Sequence, residues 1–380
     1  MDYPFSGAHD TTLEPQYATA RATGRLTKVT MPVGGEAWLA TTHDQVRQIL
    51  SDSRFSRRLA NGPQTPRLTP DLLPEGSLLA VDPPEHSRLR RQISRCFMPR
   101  QVVRFGPRIE ALVEGLLDAL EADPQPVDLV RRFAQPLPDL TTAAVLGIPT
   151  ADHGEFFGLA DAVMGRVQAG PGVPEPRAEL AAYLRRLTSD GPEPGTTLAG
   201  TSVSDSDELV DLVIALVAGG RTSTTFLSSA VFALLHEPDA SAQLRERPEL
   251  MPDAVEELLR YVPVGLSGGF PRTLTEDAEC GGQQFRAGET VLPATISANF
   301  DESVFSDPQR LDLTRRPNPH LAFGHGSHHC VGAPLARIQM NTALAGLLSR
   351  FPGLRLAENV PPVWHSGLVV RALSTLHVQW

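Results

Sequence analysis

The stretch Phe323-Gly324-His325-Gly326-Ser327-His328-His329-Cys330-Val331-Gly332 governs how the rest of the chain is read. Glycines at 324 and 326 permit positive φ and close backbone approach, which suits a tight loop presenting Cys330 with amide N–H groups directed at its sulfur. Val331 to Arg350 reads as a helix, with apolar positions at Leu335, Ile338, Leu344 and Leu347. Cys330 therefore stands near a helix N-terminus, where the dipole favours a thiolate. Two plainer roles compete. A lone cysteine is often a small buried hydrophobe. His325, His328, His329 and Cys330 also offer zinc-type donors, although neighbours so close in sequence converge poorly on a tetrahedral ion.

Outward from this loop, Asp207 to Leu235 is a long apolar helix of low charge, the mark of a buried element. It contains Ala218-Gly219-Gly220-Arg221-Thr222. Two glycines inside a helix cost roughly 1 kcal/mol each against alanine, so something is expected to approach the backbone there. In Asp82-Pro83-Pro84-Glu85-His86-Ser87-Arg88-Leu89-Arg90-Arg91 a proline pair opens a helix, and His86 and Arg90 share one face at i and i+4. Pro252 to Tyr261 places Glu257 and Arg260 at i and i+3, and Phe270-Pro271-Arg272 begins a strand region. Asn299 to Arg316, with Pro308 inside and Pro317 beyond, reads as irregular backbone.

The pattern Phe-Gly-x-Gly-x-His-x-Cys-x-Gly resembles the haem-binding loop of cytochromes P450 and matches at all six defined positions. The resemblance implies a mainly α fold with a small β region, here one P450 domain over 1–380. It implies haem b with Cys330 as the axial thiolate, which favours O–O cleavage of bound O2. It makes Phe323, His328 and Gly332 part of the cofactor site, and His86, Arg90 and Arg272 ligands of the haem propionates. A planar guanidinium fork and an imidazole are chemically suited to carboxylates. Glu257 and Arg260 resemble the family's Glu-x-x-Arg lock, and Phe305 and Arg310 its meander. Ala218 to Thr222 resembles the oxygen-groove motif Ala-Gly-x-Asp/Glu-Thr, making Thr222 the proton-handling alcohol. Arg221 departs from that motif by standing where an acid is expected, and a guanidinium with a pKa above about 12 does not relay protons readily.

Composition agrees with an ordinary globular protein: 41% hydrophobic, 21% charged, net charge −10. That charge argues against a nucleic-acid polymer as partner. Cys96, Cys280 and Cys330 are few and far apart, pointing to a reducing, cytoplasmic setting without disulfides. No uninterrupted apolar run approaches the roughly 20 residues of a membrane span. Lys28 to Met31 and Glu36 to Ala40 read as a hairpin, Thr42 to Asp52 as a helix, and Asn61 to Pro74 as a loop of the kind that covers ligands. The break at Gly170 to Pro174 separates two helices that the resemblance makes a lid.

No room remains for a fused reductase, so the resemblance implies electrons from a ferredoxin and its ferredoxin reductase. Arg88, Arg91, Arg95, Arg100 and Arg337 are the expected basic docking face. The expected pocket runs from Leu72–Leu79 to Ala218 and to Val264, Leu266, Ser267 and Phe270. Arg221, the segments 269–272 and 297–301, and the ending Leu376-His377-Val378-Gln379-Trp380 are similar to actinobacterial P450s that oxidise cyclodipeptides (diketopiperazines). That likeness implies coupling of an aromatic cyclodipeptide, with hydroxylation of another secondary metabolite, or a non-catalytic haem-binding role, as alternatives.

Overall fold

The structure, a computed structural model, describes residues 1–5, 11–165, 175–189, 206–264, 270–365 and 371–380. Among these residues the helices are α1 (Pro15–Ala22), α2 (His43–Ser51), α3 (Arg57–Ala60), α4 (Glu85–Ser94), α5 (Pro99–Ala122), α6 (Pro136–Leu146), α7 (His153–Val163), α8 (Pro176–Ser189), α9 (Ser206–His236), α10 (Pro238–Glu246), α11 (Met251–Tyr261), α12 (Thr295–Ala298) and α13 (Ala333–Arg350). The strands are β1 (Thr27–Met31), β2 (Gly35–Ala40), β3 (Phe55–Ser56), β4 (Val127–Asp128), β5 (Arg272–Leu274), β6 (Ala278–Cys280), β7 (Gln283–Phe285), β8 (Thr290–Pro293), β9 (Arg355–Leu356), β10 (Val363–Trp364), β11 (Leu373–Thr375) and β12 (His377–Gln379).

Helix α9 is the axis of the helical part, packed by α6, α7, α8, α10 and α13. Its length and hydropathy match those of a membrane span. Its place in the core explains that composition: Leu212, Val213, Leu227 and Ala230 are buried among residues of the surrounding helices. The main sheet runs β1-β2-β8-β5-β3, antiparallel except where β2 meets β8. The expected hairpin is present, with Lys28 opposite Trp38. Helix α2 follows because Thr42 and Gln45 form a reciprocal capping box. Residues 61–74 hold no helix or strand, as their prolines predict.

The segment 299–318 has little regular structure, and a buried ion cluster fixes its course. Glu257, in α11, receives Arg260 at 2.7 Å and Arg315 at 3.0 Å, and Glu257 and Arg260 are fully buried. Arg260 also donates to the carbonyls of Asn299 and Pro308 at 3.0 and 2.8 Å. The meander is therefore held by side chains where it lacks a backbone ladder. Arg310 contributes its carbonyl, while Arg315 supplies the second guanidinium. Phe300 and Phe305 lie 5.3 and 5.4 Å from the Arg260 guanidinium and close the cluster.

Candidate active site

The loop 323–332 folds as its glycines require. Gly324 and Gly326 have φ of +72° and +70°, and a Cβ on Gly326 would fall 2.2 Å from the carbonyl oxygen of Leu50. The loop thus lies directly on the end of α2. The amide of Cys330 donates to the carbonyl of Phe323 at 2.9 Å, closing the turn. Cys330 stands just before α13, and the amides of Gly332 and Ala333 reach its sulfur. The expected helix-end stabilisation is present but does not prevail in the free thiol: although Cys330 keeps accessible surface, the protein packed closely around it pushes the thiol up, against those amides and the Arg90 and Arg337 charges. Coordination to a metal would remove that proton outright.

Beside the loop stands a wall of basic side chains, its charge carried by arginines. His86 and Arg90 come from α4, Arg272 from the start of β5, and Arg57 from α3. His86 and His328 stack with ring centroids 4.0 Å apart. Burial, then Arg272 and His86, drive His328 down to about 2, so its ring is neutral. Arg272 is 5% exposed, lowered to about 10 by burial, and its Nη1 has no hydrogen-bond partner; His328 Nε2 is also buried without one. Asp82 is the carboxylate facing this group, and its oxygens are taken by Ser56 Oγ and the amides of Arg57 and Arg58. Three guanidiniums against one carboxylate leave two positive charges unmatched, together with orphaned donors. A buried surplus of this kind calls for a dianionic ligand. Haem, with two propionates and an iron that takes a thiolate, fits both the wall and Cys330.

Arg57 was not foreseen. It is buried, donates Nε to Leu79 O at 2.8 Å and Nη1 to Pro271 O at 3.0 Å, and sits 4.3 Å from the ring of Phe270. Its position at the start of a four-residue helix carries no sequence pattern that would announce it. By binding both carbonyls it joins two of the expected pocket walls. Phe270 itself is 47% exposed. Leu266 and Ser267, and the break at 170–174, lie outside the described residues.

Helix α9, expected to border the same site, carries a second group of accessible residues. Gly219 and Thr222 are accessible in mid-helix while Val217, Thr225 and Phe226 are buried, and Cys330 is accessible too. Accessible surface in the middle of a core helix marks an internal hollow. The two glycines have separate reasons. A Cβ on Gly220 would meet Thr142 Oγ1 at 2.7 Å, so it lets α6 approach, whereas nothing lies within 4 Å at Gly219. Thr222 donates to Ala218 O at 3.1 Å. Arg221, expected to share the catalytic site with Thr222, is drawn away by two carboxylates: Asp139 at 2.7 Å and Asp161 at 3.1 Å. A small apolar cavity lined by Leu146, Leu184, Leu209 and Val213 lies between α6, α8 and α9, apart from these groups.

The expected basic face is only partly free. Arg88 is paired with Glu85 and Glu208, and Arg337 with Glu256. Arg91, Arg95 and Arg100 are exposed and form no ion pair among the described residues. Exposed Arg104 and Arg108 extend them around Val103, itself 68% exposed. Among the described residues no three His, Cys, Asp or Glu side chains gather as a metal cluster.

Glu256 anchors the loop from behind: it binds Arg337 at 2.6 Å and His320 at 3.0 Å, and Arg337 covers the Phe323 ring at 4.7 Å. Burial raises its carboxyl, but these partners outweigh burial and bring it from 4.5 to about 2. A depressed folded-state value stabilises above the unfolded value and is lost as pH falls toward the folded one. We expect about 2 kcal/mol, after allowance for partial exposure, to disappear between pH of about 5 and about 2. Thermal unfolding followed across that range should show Glu256→Gln less stable near neutrality and less sensitive to acid than the parent chain.

The segments that carry the finer likeness serve the scaffold. Ser297 donates to Thr41 O at 3.0 Å, Asn299 Oδ1 accepts from the Leu321 amide at 2.7 Å, and Asp301 accepts from the His43 amide at 2.7 Å. At the other end β12 pairs with β4 and β9, and Trp380 stacks on Phe351 with centroids 4.1 Å apart.

Residues 185–373 match the family model described as Cytochrome P450. Over 392 aligned positions the chain is 45% identical to Nocardicin C N-oxygenase of Nocardia uniformis subsp. tsuyamanensis, spanning 100% of this chain and 98% of that protein. Its fold is similar to that of the mixed-function P450 MycG, with TM-score 0.92 and 39% identity over 100% of both chains. It is also similar to cytochrome P450mel 107F1 with biaryl coupling reactivity, with TM-score 0.88 and 35% identity over 100% of both chains.

Proposed function

This chain belongs to the cytochrome P450 family of haem monooxygenases, and from that premise we propose that it tailors an aromatic secondary metabolite by oxidative coupling. Bound haem, held by Cys330 and the cationic wall, would supply activation of O2. The chain's own residues supply the rest: the wall neutralises the propionates, α9 bounds the hollow, and Thr222 offers a hydroxyl at its surface. The observation that carries the aromatic reading is Phe270, whose ring lies against the Arg57 guanidinium on one side and is 47% exposed. A cation on one face withdraws electron density from the ring, which favours stacking of an electron-rich indole or phenol on the other. Electron-rich rings are also those that lose a hydrogen atom and join as radicals.

The finer substrate is an aromatic cyclodipeptide, a tryptophan-containing one in the first instance, joined by a C–C or C–N bond. The balance is two substrate hydrogens, O2, two electrons and two protons going to the coupled product and two waters. Electrons come from a ferredoxin docked on the exposed arginines about Val103, where an acidic partner finds an apolar centre with a basic rim. A second reading, oxygen insertion, is favoured by the accessible Thr222 hydroxyl. Labelled O2 separates the two. Coupling puts label in water and none in the product, whereas one labelled oxygen per product molecule would replace coupling by hydroxylation. Phe270→Ala should weaken binding of tryptophan-containing cyclodipeptides, read as ligand-induced Soret shifts, by on the order of tenfold.

A further inference from the structure

Arg221 occupies a place that no catalytic reading accounts for. Its Nη1 donates to both oxygens of Asp139, in α6, at 2.9 and 2.7 Å, and its Nη2 to both oxygens of Asp161, in α7, at 3.1 Å. Phe157, one turn before Asp161 on α7, lies 5.7 Å from the guanidinium. The side chain of Arg221 is 12% exposed, those of its partners 18% and 27%, and its Nε is buried without a partner. One guanidinium thus binds three helices at a single point, using its planar fork twice, a geometry that lysine does not reproduce. Thr222 follows it directly, about 100° further round α9. Gly220 precedes it and lets α6 come within contact.

We propose that Arg221 is a positioning residue: its paired carboxylates fix the rotation of α9, and so the direction in which Thr222 faces the hollow, and at the same time fix the seat of α7 on α9. Two arms do separate work. Asp139 holds α9 to α6, which is buried and packed through Leu137 and Ala143. Asp161 holds α7, whose buried anchors are Phe156 and Ala160. Without the cation, Asp139 and Asp161 would face one another as like charges, so removing Arg221 pushes the helices apart as well as releasing them.

The proposal rests on the haem reading of the hollow, so every variant is first checked as holoenzyme for the red-shifted carbon monoxide band. Absence of that band from the parent protein would defeat the haem reading and leave the helix-seating readout intact. The stretching frequency of carbon monoxide on the reduced haem reports the groups that α9 presents, and loss of global stability alone does not move it. Arg221→Leu should shift that frequency and speed amide exchange in residues 154–163 by on the order of tenfold. Asp161→Asn should speed exchange in α7 with the frequency unmoved, and Asp139→Asn should shift the frequency. Arg221→Lys should restore neither fully. An unshifted frequency and unchanged α7 exchange in Arg221→Leu would overturn the proposal. A uniform rise in exchange over all helices with the frequency unmoved would reduce Arg221 to a general stability role.

Discussion

Cys330→Ala is expected to remove the red-shifted Soret band of the reduced carbon monoxide complex and most of the bound haem with it. In the proposed site the Cys330 thiolate would be the ligand to the iron, and the neighbouring imidazoles are engaged elsewhere: His329 lies beside Phe323 with ring centroids 6.4 Å apart, and His328 is stacked on His86. Electron donation by sulfur gives the shifted band and assists O–O cleavage, so both should fall together. The cationic wall is left intact by the substitution, so a residue of haem held through its carboxylates would show an ordinary, unshifted band. An unchanged spectrum in Cys330→Ala would refute the ligand role.

The second large effect is expected at Glu257. Its carboxylate receives Arg260, Arg315, Asn318 and the amide of Asp312, all within 3.2 Å. Glu257→Ala leaves two guanidiniums facing one another in the core, Arg260 1% and Arg315 8% exposed. Removing one partner of a buried pair costs about 3–5 kcal/mol, a large share of a typical total of about 5–15. For a chain of this length that is a fall of roughly 5 °C in Tm. Because the meander carries the chain from α12 to the loop at 323, haem uptake should fail before unfolding is complete. Glu257→Ala with unaltered Tm and full haem loading would show that the cluster is dispensable.

What the sequence disclosed followed from local chemistry. Gly324, Gly326 and Cys330 lie within ten residues, and the turn they form has the geometry that the spacing requires. His86 with Arg90, and Glu257 with Arg260, lie within one helical turn, so their faces are fixed by periodicity. Arg57 and Arg315 escaped notice because they act across 22 and 58 residues of chain, on Leu79 and Glu257 respectively, where no repeat reveals a partner. The partners of Arg221 are hidden for the same reason: its carboxylates stand 82 and 60 positions away. The glycine pair was legible as close approach, but only the folded packing separates Gly220, which admits α6, from Gly219, which is open. The acid of the loop's rear support, Glu256, reads from sequence as one more surface charge.

The floor of the cysteine loop is the carbonyl of Leu50, and the wall beside it is assembled from residues 57, 86, 90, 272 and 328. Ancestry by recombination is thereby constrained. A crossover anywhere between the first of these and the last inherits part of the cofactor's counter-charge from each parent. Such a hybrid loads haem only if both parents place these side chains alike, whereas an exchange confined to 92–271 moves pocket helices and touches none of them. Exchange of the segment 100–260 alone leaves the whole counter-charge with one parent, and is the division at which new pockets can be traded without re-solving cofactor retention.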